Sequence, residues 1–195
     1  MERVSEGAEA TIFEIKLSGR PLLIKARNRK AWRIAIIDEE LRERRTRKEA
    51  KLMIMAKKAG AAVPEVAAIG KYSIFMQKIE GKLLKDSRPT AKDMQTIGRY
   101  LGYMHSKGIT HGDFTSANLM LTSKGPCIID FGLGNFSNSE EEKALDMLLL
   151  ERSVSKANYT DAMKGYASVS KEYLKVISRL DEIKKRGRYQ TRTLA

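Results

Sequence analysis

The chain has 195 residues, 42% of them hydrophobic, with 37 Lys/Arg against 24 Asp/Glu and a formal net charge of +13. This composition excludes a disordered or fibrous chain. The longest aliphatic run, Met147 to Leu150, falls far short of the ~18 residues of a membrane span, no apolar signal segment follows Met1, and the lone Cys127 excludes an internal disulfide, so a cytoplasmic protein without a membrane partner is expected.

In chain order, Thr11 to Leu17 alternates, Ser18 to Pro21 turns, and Leu22 to Lys25 follows, which predicts a β-hairpin. Asp38 to Ala59 is rich in helix formers and is closed by Gly60, with Pro64 beyond. Tyr72 to Met76 reads as a strand and Gly81 to Pro89 as a connection. Thr90 or Asp93 caps a helix in which Met94, Ile97, Leu101 and Met104 share one face, ending near Gly108. Leu119 to Leu121 and Cys127 to Ile129 form a second small hairpin, and Glu140 to Leu150 and Tyr159 to Leu180 read as helices. The order predicts an α+β fold of two lobes, with the boundary near Glu80 to Asp86. Residues 1–80 form a β-rich N-lobe with one long helix, and 81–195 a reduced, mainly helical C-lobe with a basic C-terminal tail.

The segment His111-Gly112-Asp113-Phe114-Thr115-Ser116-Ala117-Asn118 is followed, twelve residues beyond Asn118, by Asp130-Phe131-Gly132. H-x-D-x-x-x-x-N, a hairpin and D-F-G have the spacing of a kinase active site, so the α+β pair of lobes is expected to be a minimal bilobal protein-kinase-like fold. In that pattern the Asp113 carboxylate accepts the proton of an attacking hydroxyl or orients a water. The Asn118 amide oxygen and the Asp130 carboxylate are hard ligands for Mg²⁺ on ATP phosphates.

The upstream parts then find places. Lys25, in Ile24-Lys25-Ala26, supplies a cation to the α/β-phosphates and counts as catalytic with Asp113. Its partner carboxylate on the following helix is assigned to Glu49 over Glu43. Met76 to Ile79 makes the hinge, with Gln77 and Ile79 facing adenine. The phosphate loop is degenerate: Ser5, Gly7, Ala8, Glu9, Ala10 and Ile12 occupy its register and keep only the middle glycine.

Three departures narrow the function. His111-Gly112-Asp113 lacks the arginine that holds a phosphorylated activation loop. The stretch from Asp130 to Asp146 is too short for a peptide-docking platform. One further helix ends the chain. Asp146 is read as the helix aspartate that braces the catalytic loop, and Ser139 as a cap of the Glu140 helix. The charge is concentrated: Lys25 to Lys58 holds 13 Lys/Arg against 5 Asp/Glu, and Lys175 to Ala195 holds 7 against 2. Two such segments predict a polyanion partner, with nucleic acid favoured over membrane.

The chain resembles the small atypical serine/threonine kinase/ATPase of the KEOPS (EKC) complex, the RIO-like PRPK family, in an archaeal form. The resemblance spans nearly the whole chain. It is carried by Ile24-Lys25-x-Arg27-x-x-Lys30-x-Trp32-Arg33, Glu49-Ala50, the His111 and Asp130 motifs, Lys143-Ala144-x-Asp146 with Leu150-Glu151-Arg152, and Lys185-Arg186-Gly187-Arg188. Trp32 stands where Tyr is commoner, and Tyr189 interrupts the basic run. The resemblance implies ATP and Mg²⁺ as cofactors and a role in threonylcarbamoyladenosine modification of tRNA. It also implies docking on the threonylcarbamoyl transferase and other KEOPS subunits, and tRNA contact through the basic helix and tail. The chain could be a free subunit or a domain fused to the transferase.

Three alternatives remain. A free-standing RIO-like protein kinase of ribosome maturation shares the motifs. Small-molecule kinases share His-Gly-Asp but need a large acidic second lobe. A nucleotide-binding scaffold is permitted by the degenerate loop and opposed by the set Lys25, Asp113, Asn118 and Asp130.

Overall fold

The structure is a computed structural model that describes residues 1–7, 9–17 and 19–192, without the side chains of Arg20 and of residues 187–192. Ala8 of the phosphate loop lies outside the described residues, as do the tail side chains beyond Arg186 and residues 193–195.

Five antiparallel strands form the first layer: β1 (Glu2–Glu6), β2 (Ala10–Leu17), β3 (Arg20–Arg27), β4 (Val66–Ile69) and β5 (Ser73–Gln77), in the order β1-β2-β3-β5-β4. The expected β2–β3 hairpin forms with Ile12 opposite Lys25. Pairing of Glu6 with Thr11 closes a second hairpin, β1–β2, whose turn carries Gly7 and Glu9. Helix α1 (Ala35–Ala59) begins three residues before the expected Asp38. Its N-cap, Ile34, offers no side-chain acceptor. Instead the buried Asp38 carboxylate receives Lys30 N at 3.3 Å and Arg42 Nε at 2.7 Å, folding the preceding loop onto the first turn. At the other end Gly60 adopts φ 104°, a left-handed cap that favours glycine.

The second half is mainly helical: α2 (Ala91–Ser106), α3 (Glu140–Ser153), α4 (Lys156–Ala167) and α5 (Tyr173–Arg192). Thr90, not Asp93, is the N-cap of α2, and the two exchange bonds in a capping box. Short strands β6 (Lys82–Leu83), β8 (Leu119–Thr122) and β9 (Gly125–Ile128) pair beneath, and β7 (Ile109–Thr110) pairs with β10 (Asn135–Phe136). No described helix is long and apolar enough to cross a membrane.

The single helix expected over Tyr159 to Leu180 is instead two, α4 and α5. At the break Ser168 Oγ bonds Gly165 O at 2.7 Å, and the N–H groups of Val169 and Ser170 both return to Tyr166 O. Serine side chains that bond their own backbone compete with helix propagation. Glu172 then leaves the helical path to meet the buried Lys143 Nζ at 2.6 Å.

One apolar cluster joins the halves, with Leu52 and Met53 of α1 in the same core as Phe131, Leu101 and Met147. Helices α2 and α4 touch backbone to backbone. A Cβ on Gly98 would collide with Ala162 O, and one on Gly165 with Gln95 O. Gly98→Ala therefore pushes the helices apart and costs about 1–3 kcal/mol, read as a lower urea midpoint.

Candidate active site

The catalytic segment is positioned from below by Asp146 on α3. Its carboxylate accepts His111 N at 2.7 Å and Gly112 N at 2.8 Å, and faces His105 Nε2 at 3.2 Å. Gly112 has φ 75°, and a Cβ there would run into the backbone of Leu133. The position where many protein kinases carry arginine is thus closed to any side chain.

His111 links the two motifs. Ile129 O can only accept, so His111 Nε2 carries the proton at 3.0 Å, and Nδ1 accepts Asp113 N at 3.3 Å. Burial lowers the pKa of this ring below the ordinary histidine value, which agrees with the neutral form. Phe114 and Phe131, both fully buried, pack on the ring. Asn118 Nδ2 donates to Asp113 O at 2.9 Å and to Asp113 Oδ2 at 2.8 Å. Its nitrogen committed, Asn118 presents its amide oxygen as the ligand atom.

Asp130 follows β9 with φ 59°, the left-handed region that Asp and Asn tolerate better than other side chains. Its Oδ1 meets Lys25 Nζ at 2.6 Å and Gly132 N at 3.0 Å. Lys25 also reaches Glu49 Oε1 at 2.7 Å, so of the two helix carboxylates considered, Glu49 is the one in contact. Burial alone would lower the Lys25 pKa, but Glu49 and Asp130 outweigh it and hold the ammonium above its usual range. Burial likewise pushes the Asp130 carboxyl up, and Lys25 and the Gly132 N–H more than offset this, leaving it below its usual range. Both groups are charged at neutral pH.

Two cavities meet at Ile12, Lys25 and Asp130. The larger, about 430 Å³, is lined by Ser5, Gly7, Glu9, Ala10, Asp113 and Gly132 among others. The smaller, about 140 Å³, runs between Glu49, Met76, Gln77, Ile79 and Asn118. The described residues expected to bind ATP or metal thus line one connected cleft. Gln77 N is already bonded to Glu65 O at 2.8 Å, which leaves Ile79 as the candidate backbone donor to a base.

The sequence reading missed several lining residues. Leu23, Met53, Pro64, Met120 and Ile129 give the smaller cavity its apolar walls. Arg27 and Arg45 line the larger one. Simple periodicity could have found the arginines: Arg27 is two residues from Lys25 on one strand face, and Arg45 four residues before Glu49 on one helix face. The charge reading also needs adjustment. Much of the first basic segment is internally paired, with Arg27 on Glu49, Arg42 on Asp38, Arg45 on Glu9 and Arg47 on Glu43.

Residues 24–180 match the family profile of the RIO domain. The chain belongs to the RIO family. The KEOPS complex subunit Bud32 of Pyrococcus abyssi is 32% identical over 216 residues, covering 99% of this chain and 98% of that protein. An EKC/KEOPS complex subunit of Schizosaccharomyces pombe is 32% identical over 210 residues, with 96% and 88% covered. These near full-length matches place this RIO chain in the family of the KEOPS subunits. A probable bifunctional tRNA threonylcarbamoyladenosine biosynthesis protein of Methanothermobacter thermautotrophicus is 36% identical over 193 residues, 95% of this chain but 36% of that protein. The chain therefore spans about a third of such bifunctional relatives. Among solved structures, Rio2 kinase of Chaetomium thermophilum, in an ADP/Mg²⁺-phosphoaspartate complex, superposes with TM-score 0.64 at 18% identity over 96% of this chain and 70% of that one. That likeness shows the fold, a RIO-type kinase fold with a sheet-rich first half and a helical second half.

Proposed function

We propose that this chain is an ATP- and Mg²⁺-dependent atypical serine/threonine kinase/ATPase subunit of a KEOPS complex, supporting threonylcarbamoyladenosine formation in tRNA. The lobes divide at 80/81, with the nucleotide between them. The observation that supports this reading is the convergence of Lys25, Glu49, Asp113, Asn118 and Asp130 on one cleft. The name of the near full-length relative from Pyrococcus abyssi supports the KEOPS assignment.

The residues fit the metal that the family implies. No cluster of three His, Cys, Asp or Glu among the described residues could hold an ion alone. Mg²⁺ is commonly held by one or two carboxylates plus substrate phosphates, and Asp130 with the Asn118 oxygen supplies such a partial set. When bound, the ion would neutralise charge on the phosphates. The chain's own residues do the rest. Glu49 orients the Lys25 ammonium toward the α/β-phosphates. Asp113, held by Asn118 and by the His111 ring, accepts the proton of the attacking hydroxyl or water. Ile12, Leu23 and Met76 enclose the base.

For tRNA, exposed Arg44, Lys48 and Lys51 lie at helical spacing on one face of α1. This stripe and the C-terminal tail are the proposed RNA contacts, and the threonylcarbamoyl transferase is the proposed docking partner.

Incubation with γ-labelled ATP and Mg²⁺, with and without tRNA and the transferase, tests the reading. Expected is mostly free phosphate, stimulated by those partners and absent in Asp113→Ala. Mostly phosphoprotein, indifferent to the partners, would instead establish a free-standing RIO-like protein kinase.

A further inference from the structure

Two arginines that the proposed chemistry leaves unused line the phosphate end of the cleft. Arg45 Nη1 donates to Glu9 Oε2 at 2.6 Å, and Arg27 Nη1 lies 3.9 Å from the same oxygen. Arg27 also gives Nη2 to Glu49 Oε2 at 2.5 Å. Its Nε is buried without a hydrogen-bond partner among the described residues, on a side chain only 5% exposed. Arg27 and Arg45 both line the cavity that Glu9 lines. Glu9 itself stands in the β1–β2 turn with its side chain 52% exposed. A carboxylate from the rim is thus drawn onto two guanidinium groups in the cavity assigned to phosphate.

The geometry points to Glu9 as an internal stand-in for phosphate, occupying Arg45 and Arg27 until the phosphates of a nucleotide displace it and take over both guanidinium groups. This inference rests on the ATP reading and adds two phosphate contacts and a latch to it. The charges favour the exchange. With Glu9 in place, an incoming triphosphate meets a fixed negative charge beside Asp113 and Asp130. With Glu9 turned outward, its carboxylate is rehydrated at little cost, because it is already half in water. The arginines then offer planar, always-charged forks that suit phosphate oxygens. The latch therefore selects by phosphate count: adenosine does not displace it, ADP does so weakly, and ATP strongly. If Glu9 were only a brace for the hairpin, its removal would loosen the phosphate loop and weaken binding, an effect of the opposite sign.

The test measures dissociation constants for adenosine, ADP and ATP on the full chain, for the wild type, Glu9→Gln, Arg45→Gln and the double variant. Glu9→Gln should tighten ATP by about fivefold or more, within the range of ordinary coupling energies, and leave adenosine unchanged. Arg45→Gln should weaken ATP, and the gain from Glu9→Gln should shrink in its background, since the cation that Glu9 covers is gone. Both changes lie on half-exposed side chains, and a melting curve for each variant shows that the fold persists. A wild type that binds ATP while Glu9→Gln binds it equally or more weakly would overturn the latch alone. Equal tightening of adenosine would do the same. A wild type that binds none of the three would overturn the ATP reading and the latch with it.

Discussion

Asp130→Asn should remove ATP turnover, by about 100-fold or more, while the melting temperature stays close to that of the wild type. Three features of the position separate the two effects. Asparagine is the other side chain that accepts φ near 59°, so the backbone of the Asp130-Phe131-Gly132 turn is retained. Its amide oxygen can still receive Gly132 N, now 3.0 Å from the carboxylate. Lys25 keeps its second partner, Glu49, at 2.7 Å. The carboxylate is also 49% exposed, so its ion pair with Lys25 is screened and contributes little to folding. What the substitution removes is a negative oxygen on the cavity that Asp130 shares with Asn118, where a divalent ion would be held. Nucleotide affinity should accordingly lose much of its dependence on Mg²⁺. Asp130→Ala is the less informative variant, because it adds the strain of a left-handed alanine to the lost charge. A variant that hydrolyses ATP at the wild-type rate would mean that the cleft works without this carboxylate.

Local patterns made most of this site readable before the structure. The catalytic segment and the Asp130 turn are short, contiguous motifs, and the hairpin between them shows as two short apolar runs about the turn Thr122 to Gly125. The Lys25–Glu49 contact follows once β3 and α1 are adjacent. Thr90 and Ser139 are capping residues, and each accepts the expected backbone N–H. The parts that were not legible depend on partners distant in the chain. Strands β7 and β10 are two residues each and exist only because they pair with each other across the catalytic segment. Strand β4 is mostly exposed and gains its identity from β5. The break between α4 and α5 hides in a run of Ser and Val that carries no Gly or Pro, and it is drawn by Lys143 from another helix. On α1 the pairs Arg42–Asp38 and Arg47–Glu43 are four residues apart and readable, but the pairing of Arg45 was invisible for the same reason. Charge counted along a sequence does not reveal that Arg45 faces Glu9, 36 positions away.

Asp146→Ala should cost a large share of the stability and most of the activity. The side chain is fully buried and accepts from two consecutive backbone N–H groups, His111 and Gly112, while also facing His105. Alanine leaves the buried His111 N–H without its acceptor, whereas the N–H of the exposed Gly112, on a cavity that Asp146 also lines, can turn to solvent. The buried donor costs about 1–3 kcal/mol, and the loss of the partner of His105 adds to it, for a total of about 2–4 kcal/mol. The damage is not confined to stability. His111 holds Asp113 N through its ring and Asp113 in turn receives Asn118, so release of His111 N loosens the whole catalytic segment. Activity should therefore fall even at temperatures where the variant is fully folded. Asp146→Asn separates the two consequences. It keeps one acceptor oxygen for one of the amides but turns an NH₂ toward the other, a donor facing a donor. It should fall between the wild type and alanine in urea midpoint and closer to alanine in turnover. A variant that melts like the wild type would show that the amides of His111 and Gly112 find acceptors elsewhere, and that the brace beneath the active site is not Asp146.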